Sequence, residues 1–418
     1  MLTRIKKGIA VLGPGIFAIG YTIGTGSVTS MAKAGSQYGL KLLWVLVLSC
    51  LFSGILMEAY GRFAVVTGET SLQGIRRHLR FGKALAILVL VGVVTGQYTC
   101  LGGILALSSG ALYETAALFF PALPAAHYGL TLAVAAALIF LIYGLLLTGR
   151  YSFFEKVLVF FVTLMGATFL LSMFVVWPSR EILREAIVPS IPAGKNSLLM
   201  IAAFVGTTMA APTFVTRPLL LKEKALTPAD LPQQRLDAVV SAVMMFVISG
   251  SIMFVAAGAL HAHGKDIVRI LDMAHTLAPV AGKGAVALFM AGTLCAGLSS
   301  IFPILMVAPI LLSDYRVGRM EPRSRSFRVI CLYASLFGLI VPALGRNPIT
   351  ITVMAQISNV FVLPLAVAVI AVLINRKDLM GSHKAGPALN AGLALAFLFA
   401  CAIAVTGIRA ILSTLCAP

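Results

Sequence analysis

The stretches GYTIGTGS (Gly20–Ser27) and GTTMAAP (Gly206–Pro212) each interrupt a long apolar segment of this 418-residue chain. A glycine inside a helix weakens it by about 1 kcal/mol relative to alanine, and β-branched neighbours add to the effect. A proline removes one backbone donor and clashes with the preceding turn. The first stretch also follows a GPG sequence at Gly13–Gly15. Each stretch taken alone is compatible with an ordinary helix kink, so the positions of the two stretches along the chain decide how they are interpreted.

The composition indicates a membrane protein. Sixty per cent of the residues are hydrophobic and 11% are charged, whereas about 25% are charged in average soluble chains. This excludes an ordinary soluble enzyme, and it also excludes a basic nucleic-acid binder despite the net charge of +18. A bilayer core about 30 Å thick needs about 20 apolar residues per helix. We therefore expect an all-α integral membrane protein with about eleven transmembrane spans, at roughly 9–35, 42–66, 84–112, 128–148, 154–176, 196–221, 236–260, 284–313, 328–345, 350–375 and 387–413.

The two interrupted stretches fall in spans one and six, which are matching positions of two five-helix halves. Broken spans at corresponding positions indicate a substrate site near the membrane midplane of an inverted-repeat transporter. Unwound backbone at membrane depth survives only where it lines a cavity or is buried in protein. We expect one transmembrane domain over residues 1–418, with repeat one at about 9–176, repeat two at about 196–375 and an extra helix at about 387–413.

The basic residues predict how the chain crosses the membrane. With the N-terminus inside, 22 of the 32 Lys and Arg residues fall on the cytoplasmic side. Because Lys and Arg accumulate in cytoplasmic loops, we expect a multi-pass cell-membrane protein with a cytoplasmic N-terminus and an external C-terminus. The lipid bilayer is then the partner of the positive charge. We expect a monomer that binds no nucleic acid and needs no cofactor.

The first break and the residues that follow it resemble the corresponding part of a known protein family. The segment KAGSQYGLKLLWV at Lys33–Val45 resembles the start of the NRAMP divalent-metal transporters. Weaker similarities continue in the expected order, at Val65–Gly68, Glu155–Lys156, Val188–Pro189, Ala296–Ser300, Gln356 and Leu363–Pro364. The resemblance implies an inverted-repeat fold of the LeuT type and transport by alternating access, usually metal import coupled to protons.

The chain departs from this family at the family's site motifs. The Asp-Pro-Gly-Asn of span one aligns with Gly24, Thr25, Gly26 and Ser27, so both metal-ligating side chains are missing. The Met-Pro-His of span six aligns with Met209-Ala210-Ala211, which keeps only the thioether. The acidic pair of span three falls near Thr99 and Gly102, so that proton route is missing too.

These losses leave the substrate open. Transition-metal dications favour imidazole, thioether or carboxylate ligands, and burying a dication without a counter-charge is expensive. Three interpretations remain: a hydrated magnesium-like ion held by neutral oxygens, a small organic or anionic solute, or a related protein that no longer transports. The resemblance makes a divalent ion the first candidate. The expected substrate-binding residues are Gly24, Thr25, Ser27, Gly206, Thr207, Met209 and Gln356.

Three further residues are candidates for ion coupling. Glu58 is the one acidic residue that we place well inside a span, and intramembrane carboxylates are functional candidates. Its alternative role, which we favour, is a structural pair with Arg62 four residues later. Ser299 and Ser300 lie where a LeuT-type fold places a sodium site, although such hydroxyls more often bond one helix to another. Gln356 and Asn359, three residues apart in span ten, are expected to line a polar cavity.

Other function classes lack their sequence signals. The chain has no HExxH motif, no paired intramembrane carboxylates and no glycine-rich phosphate loop, so a membrane-embedded enzyme is excluded. Repeated pore segments and charged rings, which are typical of channels, are also missing. Secondary transport is the class that remains.

Overall fold

The computed structural model describes residues 19–20, 22–120, 123–124, 128–149, 151–192, 197–264, 270–345 and 348–415. These residues form helices and loops without a strand. The helices are Thr25–Tyr38, Leu43–Thr67, Ser71–His78, Gly82–Phe119, Tyr128–Leu147, Tyr151–Val175, Arg180–Glu185, Ser197–Thr208, Ala211–Val215, Arg217–Glu223, Leu231–Ala259, Ile270–Val317, Arg325–Gly338, Ile340–Leu344, Pro348–Leu373, Lys377–Met380 and Pro387–Leu415.

Ten helical segments of the described chain are long and apolar enough to cross a membrane. They are Leu43–Thr67, Gly82–Ala117, Tyr128–Leu147, Phe153–Val175, Ser197–Val215, Pro228–Ala259, Val286–Val317, Arg325–Leu344, Pro348–Leu373 and Pro387–Arg409. In order, they are predicted spans two to eleven, which confirms a multi-pass helical membrane protein. The start of span one, including Gly13–Gly15, lies outside the described residues, and its described helix is Thr25–Tyr38.

Both predicted helix breaks are present. In span one, Gly24 is extended at φ −108° and ψ −174°, and a new helix begins at Thr25. In span six, the helix ends at Thr208, and Ala210 at φ −62° and ψ 120° separates it from the short helix Ala211–Val215. Pro212 lies in the first turn of that helix, where its missing N–H would have no partner in any case. The proline therefore starts the second helix rather than kinking a continuous one.

The broken spans lie inside the bundle. Span eight packs against spans three, five and one, and span ten packs against spans three, six and eleven. Span one packs against span seven, while all parts of span six pack against span two. Of the described membrane segments, span six is the most enclosed, since 94% of the residues in its most apolar 18-residue stretch are buried. Both breaks are therefore surrounded by protein, as unwound backbone in a membrane requires.

The prediction that Glu58 is the one acidic residue well inside a span is wrong. Asp237 is 1% exposed within span seven, and Asp314 is 0% exposed near the end of span eight. Both helices run further than the hydropathy pattern predicts, and each carboxylate is paired. Asp237 Oδ2 accepts from Arg217 Nη2 at 2.6 Å, and Asp314 accepts hydrogen bonds from Thr70 Oγ1 and the Leu72 N–H.

Candidate substrate site between the helix breaks

The two breaks are joined by a hydrogen bond. Thr207 Oγ1 donates to the carbonyl oxygen of Thr22 at 3.2 Å, across 185 residues of sequence. Thr25, the first residue of the helix after the break, donates from Oγ1 to the Ile104 carbonyl oxygen of span three at 3.3 Å. All of these threonine side chains are buried. The hydroxyls predicted at the site therefore tie the residues around the first break to spans three and six.

Gln356 of span ten touches both broken helices. A Cβ on Gly26 would overlap the Gln356 amide nitrogen and lie 3.2 Å from Thr352 Cγ2. A Cβ on Gly206 would overlap the Gln356 carbonyl oxygen and lie 3.0 Å from its carbonyl carbon. At Gly206 the overlap is with the backbone of span ten, so a side chain there would push that span away, whereas a side chain at Gly26 would displace the Gln356 amide. The structure thus brings together Gly206, Thr207 and Gln356 with the residues of the first break.

Gln356 belongs to a chain of buried amides. Asn359 Nδ2 donates to Gln356 Oε1 at 3.3 Å, and Gln97 Nε2 of span three donates to Asn359 Oδ1 at 3.0 Å. All three side chains are at most 4% exposed. Gln97 is not among the residues predicted from the sequence, although an amide side chain within an apolar span is a signal that could have indicated a buried polar contact. The chain links span three to the break through neutral groups alone.

Ser27 supplies an uncommitted oxygen. Its side chain is 1% exposed, and its Oγ has no hydrogen-bond partner among the described residues. The same holds for Ser30, three residues later on the same helix, and for Thr213 in the first turn after the second break. Leaving a buried hydroxyl unpaired costs about 1–3 kcal/mol. These oxygens are therefore the ones available to a substrate or to its water shell.

The second half of span one offers backbone donors. The first bond within this helix runs from the Val28 N–H to the Gly24 carbonyl at 2.9 Å. The N–H groups of Thr25, Gly26 and Ser27 therefore have no partner within the helix. Its N-terminal end carries a partial positive charge. The site thus combines hydroxyl and carbonyl oxygens with N–H donors.

Met209 is the remaining soft ligand of the pattern. It is 0% exposed and follows the last residue of the first span-six helix. Its own N–H still bonds to the Val205 carbonyl at 2.7 Å. No group of three or more His, Cys, Asp and Glu residues that could hold a metal ion occurs in the described part of the chain. Any ion at the breaks would meet neutral ligands.

Ser299 and Ser300 pack against the first break. Ser300 Oγ donates to the Gly20 carbonyl at 2.6 Å, a bond between spans eight and one. Ser299 Oγ donates within its own helix to the Ala296 carbonyl at 3.0 Å. A Cβ on Gly24 would overlap Ser300 Oγ and lie 2.7 Å from Ser300 Cβ. Ser300 therefore occupies the space that a side chain at Gly24 would need.

Glu58 is bound to Arg62, as the spacing predicts. Arg62 donates to Glu58 Oε1 from Nε at 3.1 Å and from Nη2 at 2.6 Å. The Glu58 carboxylate lines an open groove between spans two, seven and eleven, and it does not line the breaks. Ser53 precedes Glu58 on the same helix by about 7.5 Å of helix length, and it donates to the Thr208 carbonyl at 3.0 Å. Span two thus contacts the second break through Ser53.

The chain resembles known transporters in sequence and in structure. Divalent metal cation transporter MntH of Verminephrobacter eiseniae is 26% identical over 91% of this chain and 85% of the relative. The same-named protein of Burkholderia ambifaria is 26% identical over 90% and 84%. A crystal structure of the Eremococcus coleocola manganese transporter, in complex with an aromatic bis-isothiourea substituted compound, has a TM-score of 0.75 at 14% identity, covering 98% of this chain and 87% of that one.

More distant transporters share the fold. The nucleobase-cation-symport-1 family transporter MHP1 has a TM-score of 0.63 at 15% identity, covering 96% of this chain and 90% of that one. MhsT in complex with L-phenylalanine has a TM-score of 0.61 at 14% identity, covering 96% and 98%. These likenesses confirm the LeuT-type fold. The model of the Nramp family, described as natural resistance-associated macrophage protein-like, matches residues 15–410, and this chain belongs to that family.

Proposed function

We propose that this protein is a secondary active transporter that carries a divalent metal ion by alternating access. The substrate would lie between the two breaks, among Gly24, Thr25, Ser27, Gly206, Thr207, Met209 and Gln356. The observation that carries the proposal is the meeting of the breaks, joined by the Thr207–Thr22 bond and both packed on Gln356. The MntH relatives, named as divalent metal cation transporters, support an ion as the cargo.

The ligands favour an ion that keeps its water. Mg²⁺ loses its shell reluctantly and is bound largely through water and oxygen ligands. Ser27 Oγ and the backbone oxygens at the breaks suit such a shell. Mn²⁺ and Fe²⁺ gain more from imidazole and carboxylate ligands, which these residues do not provide. A hydrated, magnesium-like ion is therefore the proposed substrate.

A second candidate rests on a different observation. The first-turn N–H groups of Thr25, Gly26 and Ser27 point along a helix whose N-terminal end is positive, and no acidic residue stands among the site residues. Helix N-termini of this kind bind anions. A small organic or anionic solute is the alternative cargo.

Coupling is proposed from span eight. The carbonyl oxygens of Gly20 and Ala296 and the hydroxyls of Ser299 and Ser300 form two hydrogen-bonded oxygen pairs beside the first break. Oxygens from two spans could turn towards a sodium ion there. Sodium-stimulated uptake that is lost in Ser299→Ala is the expected result, and uptake indifferent to sodium would leave these serines with a packing role only.

The remaining features of the proposal concern the membrane. The packing of span one on span seven and of span six on span two supports two repeats, about 9–176 and 196–375, followed by the extra helix. We place the protein in the cell membrane as a monomer, with the N-terminus cytoplasmic and the C-terminus outside, because basic residues collect on one side.

The test is uptake by the purified protein reconstituted in liposomes. We expect transport of magnesium ahead of manganese and of a panel of organic and inorganic anions. Thr207→Val, which removes the hydroxyl joined to Thr22, should lower it. Thr406→Val is the matched control, because Thr406 Oγ1 bonds only within its own turn, to the Ala402 carbonyl. Manganese transport at low micromolar concentration would contradict the role given to the missing aspartate, and anion transport would favour the second candidate.

A further inference from the structure

A groove with a cavity volume of about 620 Å³ runs between spans two, seven and eleven. Its walls include Leu51, Val239 and Val243, which are 52–54% exposed. In a protein that spans a membrane, exposed apolar side chains at this depth face lipid. The groove is therefore a concave part of the surface that faces the bilayer, and it is separate from the helix breaks.

Small residues form the floor of the groove. A Cβ on Gly54 of span two would lie 3.0 Å from Ala242 Cβ of span seven, so the two helices approach closely there. Gly386, before span eleven, has no atom within 4 Å of the position of a Cβ and leaves the groove open. Along span two, Val47 to Arg62 covers about 22 Å at 1.5 Å per residue. One leaflet has about 15 Å of hydrocarbon and about 6 Å of headgroup layer, so the groove matches one leaflet in length.

Charge is confined to one end of the groove. Arg62 and Arg235 both line it there, with Glu58 as the one acidic neighbour. Arg62 donates to Glu58 Oε1 from Nε and Nη2, so its Nη1 takes no part in this pair. Arg235 is exposed and makes no ion pair with the described residues. Two guanidinium groups against one carboxylate leave a net positive charge at the end predicted to face the cytoplasm.

Glu58 adds a second feature at this end. The side chain is 10% exposed, and its Oε2 is buried without a hydrogen-bond partner among the described residues. An ionised carboxylate oxygen only accepts hydrogen bonds. It therefore matches a ligand that brings a hydroxyl donor beside its negative charge.

We propose that this groove binds one anionic phospholipid with a hydroxyl-bearing headgroup, such as phosphatidylglycerol. The phosphate pairs with Arg235 and Arg62, since guanidinium groups bind phosphate oxygens with good geometry. A headgroup hydroxyl donates to Glu58 Oε2, and one acyl chain follows the apolar wall towards Val47. The length of the apolar wall excludes a free phosphate as the main ligand, because it would leave that wall empty.

Native mass spectrometry of the full chain in detergent, titrated with phosphatidylglycerol or phosphatidylcholine, tests this site. A basic side chain near anionic lipid contributes about 1 kcal/mol, which is about fivefold in affinity. Arg235→Gln should therefore weaken phosphatidylglycerol binding about fivefold and weaken phosphatidylcholine binding less, because the choline cation of that lipid already offsets its phosphate. Arg328→Gln is the matched control, since Arg328 is also exposed near the start of a span but lies away from the groove.

A second pair of variants tests the apolar wall. Val243→Trp fills the groove at an exposed position, so it should weaken both lipids without affecting folding. Leu398→Trp places the same bulk at a 64% exposed position of span eleven that does not line the groove. Equal affinity for the two lipids, or equal losses in Arg235→Gln and Arg328→Gln, would overturn the proposal. Binding of glycerol 3-phosphate as tight as that of the lipid would overturn it too.

Discussion

Replacing Gly24 by alanine should disturb span eight rather than the backbone of the break. Gly24 has φ −108° and ψ −174°, which any residue adopts, so the cost is one of packing. The new Cβ would overlap Ser300 Oγ and lie 2.7 Å from Ser300 Cβ, and overpacking of this kind costs about 1–3 kcal/mol. Displacing Ser300 also breaks its bond to the Gly20 carbonyl, worth about 1 kcal/mol. The expected loss of unfolding free energy is about 2–4 kcal/mol.

A double-mutant cycle isolates this contact. Ser300→Gly alone should cost about 2 kcal/mol, because it loses the bond to Gly20 and adds a glycine to a helix. In Gly24→Ala/Ser300→Gly the alanine occupies the space that the serine vacates. The double variant should therefore be about as stable as Ser300→Gly, which corresponds to a coupling of about 2–4 kcal/mol, the whole cost of Gly24→Ala alone.

The assay is unfolding of the purified protein in detergent, followed by the midpoint of the transition. Gly144→Ala is the control, since a Cβ at Gly144 of span four meets nothing within 4 Å, and it should hold or raise the midpoint. If Gly24→Ala behaves like Gly144→Ala, or if the two changes in the cycle add to within about 0.5 kcal/mol, the proposed contact between Gly24 and Ser300 is wrong.

Three other variants have defined expectations. Arg217→Ala leaves Asp237, itself 1% exposed, without its partner, so unfolding free energy should fall by about 3–5 kcal/mol. Arg376→Ala, at an exposed pair, should lower the unfolding midpoint much less, because solvent screens that pair. Met209→Ala should reduce uptake of soft ions such as cadmium more than that of magnesium; equal losses in a liposome assay would contradict this. Glu58→Gln should leave uptake and its pH profile unchanged, because the carboxylate is tied to Arg62; a lost pH response would instead assign it to proton coupling.

The features that could be predicted from sequence are those set by local chemistry. Bilayer thickness fixes the length of an apolar span, so spans two to eleven were found to within a few residues at most ends. Glycine and proline weaken helices wherever they occur, so both breaks could be located. The Glu58–Arg62 pair follows from a spacing of four residues on one helix.

The features that could not be predicted depend on partners far away in sequence. Thr207 and Thr22 are 185 residues apart, and Gln97 and Asn359 are 262 apart. No periodicity within either segment indicates such pairs. Arg217 is one of the 22 basic residues that the charge count places on the cytoplasmic side, yet its side chain is 1% exposed and paired with Asp237 of the next span. A hydropathy profile scores each charged residue by itself, so the residues of a buried ion pair give the same signal as charged residues in an exposed loop.

The position of Ser300 has a consequence for any side chain introduced at Gly24. The resemblance places the family's aspartate at Gly24, but here the hydroxymethyl group of Ser300 already fills the volume that such a side chain would need. A Gly24→Asp change would therefore meet a steric block before its carboxylate could contact any ion. A smaller residue at position 300 would make room, but it would give up the bond to the Gly20 carbonyl. The residues at positions 24 and 300 are thus coupled through one shared volume, so that neither can be changed to any purpose without the other.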